Sequence, residues 1–315
     1  VGPIHLDEMM LFVCADGSFT LSSMTEPVLY EERDDIAIIT LNRPHKRNAL
    51  NEAVIQGIAD GIDAATKSAD VAAIVLRGAG GTLTAGYDLG ASIEEPDYVG
   101  WKTPYGAKGP KPREGAWDPV RDYQFMNNNV QRFMKIWECP KPVLGEVTGW
   151  AVGGATDMVL CCDQLYMASD AHIGYAPSRV FGTPTTMMWM YRLGLEHAKQ
   201  FLLTGRAIDA KTAHRIGLVA HVVAPEDLAA TIEADAQRFS HIPANQLALN
   251  KMLVNQAFEN MGLRTSQMMG TFFDGVTRHT EEALLWAEDL QERGVRPVVA
   301  DRDRPWQDYG QRPKG

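Results

Sequence analysis

The chain reads as an α/β protein with a helical C-terminal part, and three observations carry that reading. Apolar, β-branched runs of strand length occur at Ile36 to Leu41 (IAIITL) and Ala72 to Leu76 (AAIVL). Between them Val54, Ile55, Ile58 and Ile62 recur at helical spacing behind Asn51, a residue type that caps helices. From Thr185 onward the pattern turns helical. A strand, a helix and a second buried strand spell a βαβ unit with a parallel pair.

The remaining elements follow in order. Asn42-Arg-Pro-His breaks the first strand. Gly78 to Gly90 (GAGGTLTAGYDLG) is loop sequence with five glycines. The stretch from Ala91 to about Pro119 has no period and is long for a connection without structure of its own, the kind that is either functional or disordered. Asp122 to Trp137 predicts an amphipathic helix and Pro140 to Thr148 a third strand. Gly149-Trp-Ala-Val-Gly-Gly-Ala-Thr-Asp then passes through a glycine pair into an apolar helix from about Ala155 to Cys162. Short strands are expected at Gln164 to Ala168 and His172 to Gly174. Helices are expected through Arg206, over 210–217, and over 226–239, 244–260 and 263–293, before a charged, proline-containing tail. No repeat is visible. The expected organisation is an N-terminal extension over 1–23 outside the fold, a core over 24–225 carrying the long loop 91–119, and a helical region over 226–315.

Composition excludes several function classes. Hydrophobic residues make up 45% and charged residues 22%, the mix of a soluble globular protein rather than a disordered, collagen-like or coiled-coil chain. Thirty basic against forty acidic residues give a net charge of −10, which argues against nucleic acid as a partner. A local basic pocket for a phosphorylated ligand remains compatible with it. The cysteines, Cys14, Cys139, Cys161 and Cys162, form no CxxC pair, so neither a zinc cluster nor a disulfide framework is expected and a reducing compartment fits. No apolar run approaches the roughly 20 residues of a membrane span. Val1 to Met24 lacks the basic and apolar regions of a signal peptide. The reading is cytoplasmic, with no membrane partner and no metal or redox cofactor.

Two features could carry chemistry. Gly153 and Gly154 sit where a strand hands over to a helix, and the free N–H groups of a first helical turn favour negative charge. Such a site can hold a phosphate or an oxyanion, the latter worth about 3–4 kcal/mol per donor; the alternative is a tight packing turn. Neither glycine loop matches a dinucleotide fingerprint or a P-loop. Asp157 falls in the first turn of the same helix. It is either an acid that favours the helix dipole or a general acid/base whose apolar neighbours, Val159 and Leu160, would raise its pKa.

Four segments in register resemble the crotonase (enoyl-CoA hydratase/isomerase) family. They are Leu41-Asn-Arg-Pro-His-Lys-Arg-Asn-Ala-Leu-Asn, Leu83-Thr-Ala-Gly-Tyr-Asp-Leu, Pro140-Lys-Pro-Val through Gly149-Trp-Ala-Val-Gly-Gly-Ala-Thr-Asp to Cys162-Asp163, and, more weakly, Phe201-Leu-Leu-Thr-Gly-Arg-Ala-Ile-Asp-Ala-Lys-Thr-Ala with Ile216-Gly-Leu-Val. The likeness runs from about residue 28 to 300. It implies a crotonase-like spiral of ββα units with a helical C-terminal trimerisation part. It also implies an acyl-CoA thioester substrate, with coenzyme A as part of that substrate and no separate cofactor. The thioester oxygen would be held by the backbone N–H groups of Tyr87 and Gly154. Arg47, Ala49, Ala85 and Leu89 become candidate coenzyme A contacts, with Arg47 suited to phosphate or else a solvated charge beside Lys46. The implied assembly is a homotrimer or a dimer of trimers.

The catalytic acids depart from the pattern. The family's hydratases carry two glutamates. The first falls at Asp157 and the second near Ser178, in Tyr175-Ala-Pro-Ser-Arg-Val-Phe-Gly, which is one residue longer here. Ser178 cannot act as a carboxylic acid. Asp157 could work alone. His172, Tyr175 or Arg179 could substitute, although His172 also reads as a structural histidine and Arg179 as an ion-pair partner. An acid could come from Glu94, Glu95 or Asp97 in the long loop, or these are simply solvated; Tyr98, Trp101 and Tyr105 could line an acyl pocket or pin that loop. Asp88 reads as a turn-stabilising acid, and Cys161 and Cys162 as core. The expected activity is addition of water to a 2-enoyl-CoA. The alternatives are an isomerase, a carbon–carbon bond hydrolase, or a non-catalytic acyl-CoA-binding protein; RNA binding is disfavoured by charge.

Overall fold

The computed structural model describes residues 26–90 and 117–309, together with the backbone of 9–13 and 19–23. Strands β1 (Met9–Val13) and β2 (Phe19–Ser23) pair antiparallel as a separate hairpin, so the segment expected to stand outside the fold contains strand. The main sheet has six strands in the order β11-β8-β6-β5-β4-β3. These are β3 (Val28–Arg33), β4 (Ile36–Leu41), β5 (Ala73–Gly78), β6 (Val143–Val147), β8 (Gln164–Ala168) and β11 (His221–Val223). All neighbours are parallel except β3 and β4. A smaller sheet orders β10 (Ile208–Asp209), β9 (His172–Gly174) and β7 (Trp150–Val152).

The helices are α1 (Glu52–Lys67), α2 (Pro119–Glu138), α3 (Gly154–Val159), α4 (Met188–Leu202), α5 (Ala210–Arg215) and α6 (Leu228–Gln237), then α7 (Ala244–Asn260), α8 (Leu263–Arg278), α9 (Glu281–Arg293) and α10 (Val295–Asp303). One unit repeats in outline. A main-sheet strand gives way to an extended segment of the second layer and then to a helix. β4 leads through Leu50 to α1, β6 through β7 to α3, and β8 through β9 to α4. After β5 the same role falls to residues 84–87, bridged to Ala151 and Leu50. This is the expected spiral of ββα units.

Burial explains why these residues form these elements. β4 and β5 are covered on both faces, which is why IAIITL and AAIVL show no polar alternation. α1 buries Val54, Ile55, Ile58, Ile62 and Ala65, and the Asn51 side chain accepts from the Val54 N–H as its N-cap. α2 sets Val130, Phe133, Met134 and Ile136 into the same core.

Several boundaries differ from expectation for physical reasons. The helix expected to Cys162 ends at Val159, because the chain tightens into turns in which the Cys161 and Cys162 N–H groups bond three residues back, to the Met158 and Val159 carbonyls. The 263–293 stretch is two helices, with Thr280 capping the second. α4 starts only at Met188, because amides of the preceding loop are used elsewhere. The tail contains α10, which buries Val298 and Asp303, the latter in an ion pair with distant Arg179 that no local pattern shows. β10 and β11 are too short to leave a pattern. The bulk of the long loop, residues 91–116, lies outside the described residues, and with it Glu94, Glu95, Asp97, Tyr98, Trp101 and Tyr105.

Ile58→Ala should lower stability by about 2–5 kcal/mol, because it leaves a cavity in the core, whereas Asn51→Ala should cost about 1 kcal/mol, the worth of an N-cap. Denaturant midpoints of the two variants check this, and a similar loss for both would contradict the burial assignment.

Candidate active site

The site is built where two backbone segments come unusually close. Gly86 has φ +92°, and a Cβ there would collide with the Val152 carbonyl oxygen while standing 3.5 Å from the Gly154 nitrogen. Gly153 has φ +57°. A Cβ on Gly154 would run into the Tyr87 ring. Only glycine fits this junction. The bridge between Leu50 and Tyr87 uses the Gly86 carbonyl and the Asp88 N–H, at 2.8 and 3.0 Å, and so turns the Tyr87 N–H away from Leu50. Gly154 is the first residue of α3, where amides lack an intrahelical acceptor.

The loops beneath are tied down by side chains. Asn48 is fully buried, accepts from the Arg43 N–H at 2.8 Å and donates to the Ala79 and Thr82 carbonyls, both at 2.8 Å. Arg43 forms an ion pair with Asp88 at 2.9 Å, consistent with a structural role for that acid. The Ala85 N–H donates to the Arg47 carbonyl at 3.0 Å. Thus Arg47, Ala49, Ala85 and Leu89, far apart in sequence, lie on adjoining strands of loop; Arg47 and Ala85 are exposed and Ala49 is buried. Asn48 escaped sequence reasoning, although an Asn between a basic and an apolar pair was visible.

Asp157 is 1% exposed and points to the loop before α4. Its Oδ1 accepts from the Thr185 N–H at 2.8 Å and the Thr186 N–H at 3.1 Å, with the Thr186 hydroxyl 3.3 Å away. Burial pushes its pKa up to about 7, and it outweighs the three hydrogen bonds, which act to lower it; the neighbouring Asp274 carboxylate adds to the rise. Asp274 comes from α8, and is itself held by the Thr183 N–H at 3.3 Å and the Arg278 Nε at 3.0 Å. One short loop therefore spends successive amides on two buried carboxylates. This second acid was invisible locally, because only the tertiary fold brings α8 here.

Ser178 does not join this group. It lies on a 3-10 turn, Ala176–Arg179, and its N–H returns to the Tyr175 carbonyl at 3.3 Å. It lines two surface cavities of about 680 and 570 Å³, and Asp157, Tyr87 and Gly154 line neither. Arg179 beside it is an ion-pair partner: it binds Asp303 at 2.9 Å and Asp308 at 2.6 Å, under the rings of Trp306 and Tyr309. His172 stacks on Trp150, with centroids 4.7 Å apart, in keeping with a structural histidine. Cys161 and Cys162 are fully buried and their thiol pKa values are raised by that burial. Among the described residues no cluster of three or more His, Cys, Asp or Glu could hold a metal ion, and no helix is long and apolar enough to cross a membrane.

A spiral of ββα units in which two glycine-bearing backbone segments meet beside a helix that carries a buried acid defines a class. The enoyl-CoA hydratase/isomerase family model matches residues 31–105 and 113–292, and the chain belongs to that family. Among solved structures it is similar to an enoyl-CoA hydratase from Mycobacterium smegmatis, with 36% identity, a TM-score of 0.81, and 90% of this chain and 95% of that chain covered. An enoyl-CoA hydratase/isomerase from Xanthobacter autotrophicus Py2 aligns at 26% identity and a TM-score of 0.79, covering 89% and 98%. The crotonyl-CoA hydratase of Syntrophomonas wolfei is 29% identical over 244 residues, 76% of this chain and 84% of that protein.

The raised pKa has a stability consequence with a definite sign. Below about pH 4 Asp157 is protonated in both states. Between about pH 4 and 7 the unfolded chain releases its proton first, so the folded state binds more protons and stability falls as pH rises. Asp157→Asn abolishes this linkage, so the stability of the variant relative to the parent should rise by several kcal/mol, on the order of 4, between pH 4 and 8. Denaturant melts across that range check it; a difference that does not change with pH would contradict the assignment.

Proposed function

We propose that the chain adds water to a 2-enoyl-CoA. The observation that carries this reading is the buried Asp157, poised near neutrality one helical turn from Gly154. The thioester carbonyl would accept hydrogen bonds from the Tyr87 and Gly154 N–H groups. As the water oxygen bonds to Cβ, one water proton passes to the Asp157 carboxylate. The electron pair of the double bond moves onto the thioester oxygen as an enolate, held by the two donors. Asp157 then returns the proton to Cα, which restores the carboxylate and the carbonyl. A pKa near 7 suits both halves of that exchange. The coenzyme A portion would cross the Arg47, Ala49, Ala85 and Leu89 surface, with Arg47 meeting phosphate. No further cofactor enters this scheme.

The proposed assembly is a homotrimer or a dimer of trimers, supported by exposed apolar residues on the C-terminal helices. Leu249, Met252 and Leu253 of α7 and Phe272 and Phe273 of α8 face outward. The proposed compartment is the cytoplasm, supported by Cys139, Cys161 and Cys162 being free thiols. Neither nucleic acid nor membrane is proposed as a partner.

Hydration of crotonyl-CoA by the parent and by Asp157→Asn tests the reading. The parent should turn over, and the variant should lose about 10²–10⁴-fold in kcat, the range general acid–base groups supply, while still binding butyryl-CoA. Equal turnover by both proteins would remove Asp157 from the mechanism. A parent that moves the double bond of a 3-enoyl-CoA but hydrates nothing would make the reaction an isomerisation. Sedimentation should give a mass of three or six chains, and a monomer would exclude the assembly.

A further inference from the structure

The reaction above has one acid where the family's hydratases have two, and Ser178 stands away from it. We propose that the hydroxyl of Tyr175 is the second polar group of the reaction centre, meeting the oxygen that joins Cβ opposite Asp157; this deepens the hydratase reading and rests on it.

Tyr175 is 4% exposed. Among the described residues its hydroxyl makes no hydrogen bond. The hydroxyl is not among the buried polar atoms left without a partner, so within a buried side chain its oxygen keeps access to a solvent molecule or a ligand. What surrounds it indicates which. Asp157, Asp274, Tyr87 and Arg278 are all within electrostatic reach. A Cβ built on Gly182 would lie 3.6 Å from the Tyr175 Oη and 3.4 Å from the Asp274 Oδ1, so the hydroxyl and that carboxylate flank the same glycine. Asp274 is committed to Thr183 and Arg278, so its oxygens are already engaged by protein donors.

The ring is also held in register with the oxyanion donors. Tyr175 opens the 3-10 turn, and the next residue but one, Pro177, packs against Gly153. Arg179, at the end of the same turn, is clamped by the C-terminal segment through Asp303 and Asp308. Burial and the nearby carboxylates keep the phenol neutral, well above its ordinary range. A neutral hydroxyl can accept the second hydrogen of the attacking water while Asp157 takes the first. No bond to Tyr175 forms or breaks, and the proton count of the reaction is unchanged.

The test is Tyr175→Phe in the full chain, with Ser178→Ala beside it. The variant keeps the ring and removes one oxygen, so folding is preserved. Its kcat for crotonyl-CoA should fall about 10²-fold with KM within about threefold, as for loss of a group acting on the reacting atoms. A second readout needs no turnover. The affinity for 3-hydroxybutyryl-CoA should fall about tenfold, while that for butyryl-CoA, which lacks the β-oxygen, stays within about twofold. Equal effects on the two ligands, no effect on either, or no binding of either by the parent would overturn the assignment. So would a loss confined to Ser178→Ala. A parent without hydratase activity would end the hydratase reading, and the two affinities would still decide whether the Tyr175 hydroxyl meets a β-oxygen.

Discussion

Everything at the site depends on how closely the backbone around Gly86 approaches that around Gly153 and Gly154. Two amides can converge on one oxygen only if nothing larger than hydrogen stands between the segments carrying them. Positive φ at Gly86 and Gly153 and the pressure of the Tyr87 ring on Gly154 leave no room for a side chain. The larger architecture serves that approach. β5 and β6 are parallel neighbours and deliver their successors to the same edge, where Thr84 bridges Ala151. Buried Asn48 and the Arg43–Asp88 pair then fix the loop beneath.

The second constraint is energetic. A carboxylate without solvent is costly, and two amides plus a hydroxyl offset that cost only in part. The cheaper state near neutral pH is one in which the proton comes and goes. Stability above about pH 4 is therefore given up at Asp157, and a buried acid perturbed in this way is the kind that clusters at functional sites. Asp163, half-buried, has the opposite arrangement: Lys251 meets it at 2.7 Å, and Lys251 also bonds the Ile136 and Lys141 carbonyls. Asp157 lies in the first turn of α3 and Asp163 just beyond its end, and among the described residues only the second is paired with a cation.

What was legible in the sequence follows from how local each signal is. β4, β5 and α1 declare themselves because their burial pattern lies within a dozen residues. The close approach of Gly86 to Gly154 and the place of Asp157 in the first turn of α3 were legible because each sits inside a short motif whose spacing is the geometry. The loop that clamps Asp157 and Asp274 was hidden, since Thr185 and Thr186 on the first and Thr183 on the second act chiefly through backbone N–H groups, which every residue but proline has. Ser178 occupies the expected stretch, but the turn presents it to the outer cavities and leaves Tyr175 inside. α8 was readable as a helix but not as to its orientation. Its apolar Met268, Met269, Phe272 and Phe273 are exposed, while Gln267, Thr271 and Asp274 are buried. Binary patterning assigns those faces the other way round.

That inversion makes α8 a partition with a wet-chemistry side and a greasy side. The stripe that would be core in an isolated domain faces outward, and the stripe that would be surface is turned in toward the buried carboxylates. Only the diameter of one helix, about 10 Å, separates the two. Substitutions on the apolar stripe are thus made on the back of the helix that holds Asp274 beside Asp157. The outer surface and the buried acids are not independent traits here, and drift in one reaches the other through the turns of a single helix.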